Sequence, residues 1–393
     1  MPFHETPARP DTDALIEDLR TLVECESPSE DPAALARSAD LVARLGTAHL
    51  GVPPERLGVH LRWRLGGPTR VLVLAHHDTV WPLGSLRTHP FGVADGVLRG
   101  PGCFDMKTGL AMALHVLASL EDRTGVTLLV TGDEELGSPS SQALIEDEAR
   151  GAAAALVLEA SADGGALKLE RKGTSIYRVV VKGRAAHAGL EPEKGVNAAV
   201  ELAHQVLAIA ALGDPALGTT VVPTVVAGGT TRNTVPAEAS VAVDVRARSV
   251  AEQERVDAAL RALAPVLPGA ALEIEGGINR PPLERALSAD LFARASRLAE
   301  ESGLPALTGV AVGGASDGNF TAGVGTPTLD GLGAVGGGAH ADDEHVLVDR
   351  IADRTALLRA LVVDLVADAG SDPGSDPGSD AGADAGADAA AGR

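Results

Sequence analysis

The stretch VLVLAHHDTVW, Val71 to Trp81, runs five apolar residues into two histidines and an aspartate. A short continuous apolar run reads as a strand buried on both faces, the kind found inside a parallel sheet covered by helices. Successive strand side chains point to opposite faces, so His76 and Asp78 share one face and His77 takes the other. An imidazole that ligates a metal commonly gives its second N–H to a carboxylate, which fixes the ring and its tautomer. His76 is therefore the candidate ligand. Asp78 orients it or sits near the metal, and His77 is a neighbour without a catalytic role. A His-x-Asp on a strand is, taken alone, more often a hydrogen-bonded pair than a metal site.

The pattern around this strand sets the fold class. Upstream, TDALIEDLRTLVE places Leu15, Ile16, Leu19, Leu22 and Val23 on one helical face, and Asp31-Pro32 reads as a cap followed by proline at the first helical position. Downstream, FDMKTGLAMALHVLASLED is helical, GVTLLVTGDEE a strand, SSQALIEDEAR a helix and AALVLEAS a strand. Alternating strand and helix predict an α/β domain with a mostly parallel sheet. The period then changes. TSIYRVVVKGR alternates like a half-exposed strand, and the elements that follow to ALEIEGG read β-α-β-β-α-β, a ferredoxin-like insert. After Pro281-Pro282 the first pattern resumes. The expected organisation is a catalytic domain of residues 1–171 with 283–369, an inserted domain of 172–282, and an acidic tail of 370–393. That tail is repetitive, holds five Asp against one Arg, and has nothing that could pack, so disorder is expected.

Composition narrows the function classes. The net charge of −21 argues against nucleic acid, which demands a basic footprint. No run of eighteen apolar residues exists, so no membrane span is expected, and the N-terminus lacks an apolar signal core. Two cysteines, Cys25 and Cys103, make no disulfide framework and fit a reducing cytoplasm. Aromatics are only 2%, so small aliphatic side chains must fill the core.

Other strand ends carry chemistry too. Asp133, Glu134 and Glu135 close an apolar run, at the end of a sheet where α/β proteins bind ligands. Adjacent like charges repel unless a positive group holds them or one stays protonated; a solvated helix-capping turn is the bland alternative. Asp105, between glycines and a helix that it is expected to open, could be an ordinary N-cap. Glu159 ends a third strand, and His340 sits on the glycine-rich GGGAHADDEHV. Together, His76, Asp105, Glu135, Glu159 and His340 form a nitrogen and oxygen donor set suited to zinc or a neighbouring divalent metal. Two imidazoles and three carboxylates exceed one tetrahedral catalytic site and suit two metals roughly 3.5–4 Å apart with a shared carboxylate. Glu134 is then the spare acid, placed to take a proton from the attacking water.

These residues resemble the zinc-dependent aminoacylase/carboxypeptidase family, and within it the bacterial glutamate carboxypeptidase branch. The matching blocks are HHDTVWPLGSL, GPGCFDMKTG, TGDEELGS, the strand ending at Glu159, AAHAGLEPEKGVNAA, RNTVPAEASVAVDVR, GGASDGNF and GAHADDEHV, in order over nearly the whole chain before the tail. The resemblance implies that Asp105 bridges both metals, that His76 and Glu159 complete one site and Glu135 and His340 the other, and that Asp78 orients His76. It makes Glu134 general base and then general acid. It makes the insert a lid and dimerisation domain, with His187 reaching the partner's active site in a homodimer. Asn233 and Arg246, and less securely placed at the hinge Arg280, would bind the substrate carboxylate, for which a guanidinium fork is suited. The expected cofactors are two zinc ions, with cobalt as the alternative. The expected activity is hydrolysis of an amide or peptide bond beside a free C-terminal carboxylate. The rivals are a deacetylase or desuccinylase of a biosynthetic intermediate, and a metal-dependent binding protein without turnover.

Overall fold

The computed structural model describes residues 11–369; the acidic tail lies outside the described residues. A six-stranded mixed sheet forms the centre. Its order is Glu55–Leu57, His60–Arg64, Val126–Thr131, Val71–His76, Ala154–Val157 and Thr328–Leu329. The last four run parallel, and the first two add an antiparallel edge. The Val71–His76 and Val126–Thr131 strands are buried along their whole length, as their unbroken apolar runs predict.

Helices cover the sheet. Thr12–Glu24 buries Leu15, Leu19, Leu22 and Val23, and its first turn is capped by Asp11. Pro32–Leu50 starts behind the Asp31 cap with proline at the first helical position. Thr108–Ala118 is apolar nearly all round and lies within the core, with Leu110, Leu114 and Leu117 fully buried. Short aliphatic side chains dominate that core; Trp63, Phe104 and Phe320 are its rare large aromatics among the described residues.

Residues Gly173–Lys182, Ala198–Ala210, Thr220–Gly228, Glu238–Ala247, Val250–Arg261 and Ala271–Arg280 give the β-α-β-β-α-β order. Their four strands make a separate antiparallel sheet in the order 220–228, 238–247, 173–182, 271–280. Strand alternation sends Tyr177, Val179 and Val181, and Val241, Val243 and Val245, into a second apolar core beneath the two helices. Arg178, Asp244 and Arg246 lie on the other face, where Ile176 is 59% exposed. Among the described residues, no helix is long and apolar enough to cross a membrane.

One close approach links fold to site. Gly109, one residue into its helix, lets that helix touch the strand end that carries Glu159: an added Cβ would meet the Leu158 carbonyl oxygen at 2.1 Å. Replacing a helical glycine by alanine gains about 0.5–1 kcal/mol of propensity, whereas overpacking costs about 1–3 kcal/mol. The clash is with backbone, which yields little, so it wins. Gly109→Ala is expected to lower the melting temperature in a thermal unfolding scan; a raised one would contradict the contact.

Candidate active site

The parallel strands deliver their carboxyl ends to one edge. His76 is the last residue of its strand and pairs in register with Thr131, just before Asp133. Leu74 pairs with Val157, just before Glu159. Asp105 arrives differently from expectation. The helix begins at Thr108, and Asp105 sits in the preceding Cys103–Lys107 turn with extended backbone dihedrals and a cis bond to Met106. Its carboxylate therefore caps no helix and is free to face the strand ends. His340 comes from the loop joining two strands of a small antiparallel sheet, Gly336–Gly337 and His345–Leu347, at a positive φ of 62°.

The acidic run splits by role. Asp133 accepts from Ser140 N (2.7 Å), Ser140 Oγ (2.6 Å) and Ser141 Oγ (2.5 Å), so it organises the start of the next helix. Glu134 and Glu135 turn inward, each side chain less than a tenth exposed. Two sets of ligand atoms result. His76 Nε2 lies 3.4 Å from Asp105 Oδ1 and 3.5 Å from Glu159 Oε1. His340 Nε2 lies 3.3 Å from Asp105 Oδ2 and 3.2 Å from Glu135 Oε2. The two oxygens of Asp105 thus face one triad each.

The donors fit divalent metals. His76 Nδ1 donates to the Asp78 carbonyl (3.0 Å), and the Asp78 carboxylate is 3.4 Å from the same nitrogen. This leaves Nε2 as the lone-pair nitrogen of the neutral ring, aimed at Asp105 and Glu159. His76 Nε2 and Glu135 Oε1 are buried without a hydrogen-bond partner. An orphaned buried polar atom costs about 1–3 kcal/mol, and a cation between the triads would meet both. Hydrogen bonds to Asp105 and Glu135 raise the His340 pKa to about 10, so this edge of the site draws positive charge. Burial pushes the Asp105 carboxyl up, but His340 and His76 outweigh it and hold it well below the usual range. A third cluster, Asp18 with His49 and His115, differs: both Nε2 atoms sit on one carboxylate oxygen at 2.7 and 2.8 Å, as satisfied hydrogen bonds.

His77 points away, as strand alternation predicts. Its Nε2 donates to the Val59 carbonyl (2.9 Å) and its Nδ1 accepts from Ser38 Oγ (3.0 Å); burial lowers its pKa to about 4. Asp78 is itself held by Ser29 Oγ (2.7 Å) and by the backbone N–H groups of Glu134 (3.3 Å) and Glu135 (3.2 Å).

The insert residues are arranged separately. His187 is exposed, and its Nδ1 accepts from Gly189 N (3.2 Å) and Leu190 N (3.1 Å). Asn233 is exposed beside it, accepting from Ala188 N at its carbonyl (2.9 Å). Arg246 forks onto Asp244 through Nε (2.9 Å) and Nη2 (2.9 Å). Among the described residues, no hydrogen bond or ion pair joins these three to the triads. Arg280, expected to bind the substrate carboxylate, lies against Glu134. It is buried, and its Nη2 lies 3.0 Å from Glu134 Oε1 and 3.0 Å from Asp317 Oδ1. Both protein carboxylates are met by that one nitrogen, while Nε is buried without a hydrogen-bond partner.

Comparison with known proteins agrees with this geometry. The sequence profile of Peptidase family M20/M25/M40 matches residues 72–364. The chain is a member of that family. It is 32% identical over 352 residues to carboxypeptidase G2 of Pseudomonas sp. (strain RS-16), covering 84% of this chain and 83% of that one. It is 30% identical over 367 residues to succinyl-diaminopimelate desuccinylase of Methylorubrum extorquens (strain PA1), covering 84% and 93%. Its fold is similar to that of aminopeptidase PepT from Bacillus cereus ATCC 10987, with a TM-score of 0.70 at 22% identity over 91% of this chain and 99% of that one. This M20-family protein is a metal-dependent hydrolase of amide or peptide bonds.

Sequence reading missed one residue of this family member's site. Glu344 is buried and accepts from the backbone N–H groups of Gly102 (2.9 Å), Phe104 (2.8 Å) and Asp105 (3.0 Å), and from Trp81 Nε1 (2.6 Å). It clamps the turn that carries Asp105. Its only signal was a third acid after His340, in a run whose other members, Asp342 and Asp343, are exposed. Outer partners of ligands typically contribute about 10–100-fold in metal affinity. Glu344→Gln replaces an acceptor with an N–H₂ that faces donors, so a loss of that order is expected in a chelator-competition titration. Unchanged affinity would contradict the clamp.

Proposed function

We propose that the chain hydrolyses N-acyl or peptidyl amino acids at the amide bond next to a free C-terminal carboxylate, as a dinuclear enzyme. His76 and Glu159 would hold one metal, Glu135 and His340 the other, and Asp105 would bridge them. The observation that carries this reading is the pair of three-ligand sets meeting on the two oxygens of Asp105, with the Glu134 carboxylate within 4.8 Å of His76 and Glu135 donor atoms. Zinc suits the imidazole and carboxylate donors, with cobalt as the alternative. When bound, the metals supply a nucleophile competent near neutral pH and positive charge for the developing oxyanion.

The chain's own residues do the rest. Glu134 takes the proton of the attacking water and returns it to the leaving amine. Burial raises its pKa well above the ordinary carboxylate range while Arg280 pulls it down, an environment suited to carrying a proton in both directions. Asp78 holds His76 in one tautomer. Arg246, whose Nη1 lies outside its fork to Asp244, and Asn233 would receive the substrate carboxylate. Two backbone donors on His187 Nδ1 leave Nε2 as the protonated nitrogen of the neutral ring, free to donate to a carbonyl. It would do so in the partner's site of a homodimer formed through residues 172–282, which would also serve as the lid. The two free cysteines fit a cytoplasmic setting. Neither a membrane nor a nucleic acid is expected as partner.

Carboxypeptidase G2 among the relatives favours a carboxypeptidase; the desuccinylase relatives support removal of an acyl group from a biosynthetic amino acid as the second reading. A panel of dipeptides, N-acyl amino acids and N-succinyl diamino acids on zinc- and cobalt-loaded enzyme decides between them. Turnover confined to the succinylated compounds would favour the second, and no turnover at all would sink both. Glu134→Gln is expected to keep full metal content while losing at least about 10²–10⁴ in kcat; near-native turnover would show the base to be another group. Mixing inactive His187→Ala subunits with inactive Glu134→Gln subunits is expected to restore activity, because each mixed dimer holds one intact site. Exchange without recovery would show that His187 does not act in trans.

A further inference from the structure

We propose that Arg280 is a positioning residue for Glu134, held in place by Asp317, and does not bind the substrate carboxylate. The inference rests on Glu134 being the base. Arg280 is the last residue of the Ala271–Arg280 strand, where the insert rejoins the catalytic part of the chain. Its backbone belongs to the insert: it pairs with Thr174, and its carbonyl accepts from Gln253 Nε2 (2.9 Å). Its guanidinium belongs to the catalytic centre. Nη2 reaches the Glu134 carbonyl (3.1 Å), Glu134 Oε1 (3.0 Å), Ser138 Oγ (2.8 Å) and Asp317 Oδ1 (3.0 Å).

Asp317 is anchored in turn. Ser138 Oγ donates to its Oδ1, and Thr131 Oγ1, at the end of the central strand, donates to Oδ2 (3.0 Å). The chain of contacts therefore runs from the sheet through Asp317 and Arg280 to one oxygen of Glu134. Phe320 closes the far side, its ring centroid 5.3 Å from Arg280 Cζ. A long acid side chain has several rotamers, and a base acts only within hydrogen-bond reach of its proton. Arg280 selects among those rotamers by gripping both the backbone carbonyl and the carboxylate of the same residue. The ion pairs point the same way. One guanidinium nitrogen already faces two carboxylates in a buried setting, which leaves that nitrogen committed to protein partners. Because backbone and guanidinium sit in different parts of the chain, the seat of the insert and the position of the base are coupled through one side chain.

The test is steady-state kinetics of Arg280→Gln, Arg280→Lys and the double variant Arg280→Gln/Asp317→Asn, with the best substrate of the panel. Metal content and melting temperature are measured in parallel. Misplacing a catalytic group by an ångström costs about 10²-fold, so Arg280→Gln is expected to lose kcat by that order with KM nearly unchanged and metal content native. Arg280→Lys, which keeps the charge without the guanidinium's reach to all four acceptors, should recover part of the loss. The double variant removes one charge of each sign, which preserves the balance if the single variant fails to fold, and it should show the same kcat loss. If neither glutamine variant folds, the kcat of Arg280→Lys decides. A rise in KM with kcat kept would overturn the proposal in favour of a substrate-binding arginine, and so would native kcat in the folded variants. A wild-type enzyme inactive on the whole panel is a failure of the functional reading, and is seen before any variant is made.

Discussion

Carboxylates gathered at the edge of a buried sheet repel one another unless positive charge lies between them. Asp105, Glu134, Glu135 and Glu159 meet at such an edge, with imidazoles from His76 and His340 among them. The parallel strand register brings the ends that carry His76, Glu134, Glu135 and Glu159 together, because it sets His76 level with Thr131 and Leu74 level with Val157. Fixed cations answer part of the charge. Arg280 lies against Glu134, and Arg171 sits 3.8 Å from Glu159 while its Nε donates to Asp330 (2.7 Å). The remainder, centred on Asp105, faces the two imidazoles, and there the unpartnered His76 Nε2 and Glu135 Oε1 are found. The centre is built around an excess of negative charge that bound metal would neutralise.

The surrounding structure keeps that excess in one geometry. Segments distant in sequence converge on short stretches of backbone: Ser29 on Asp78, Glu344 on the Asp105 turn, Asp317 on Arg280. Each anchors a charged group, or the turn that carries one, through a hydrogen bond from outside the two triads. Buried polar networks hold their members in one arrangement, so removing one member is expected to move affinity or rate.

Much of this was legible in the sequence where the signal is local. Apolar runs ending in His76, Asp133 and Glu159 mark strand ends, and strand alternation alone separates His76 from His77. The β-α-β-β-α-β order of the insert follows from a change of period near Thr174. What was not legible depends on contacts across the chain. The sequence around Asp105 reads as a helix start, yet the turn before Thr108 keeps its carboxylate for the site. Nothing in the sequence near Arg280 reveals that its guanidinium meets Glu134, 146 positions away, and Asp317, 37 positions away. Asp342, Asp343 and Glu344 are alike in charge, and only the fold turns the last of them inward.

Metal stoichiometry tests the central claim most directly. Metal-free protein titrated with zinc, followed by calorimetry and elemental analysis, is predicted to take two ions per chain. His340→Ala and Glu159→Ala should each weaken one ion and spare the other, whereas Asp105→Asn should weaken both. A wild-type chain that binds a single ion, or an Asp105→Asn chain that binds two with native affinity, would contradict a centre bridged by Asp105.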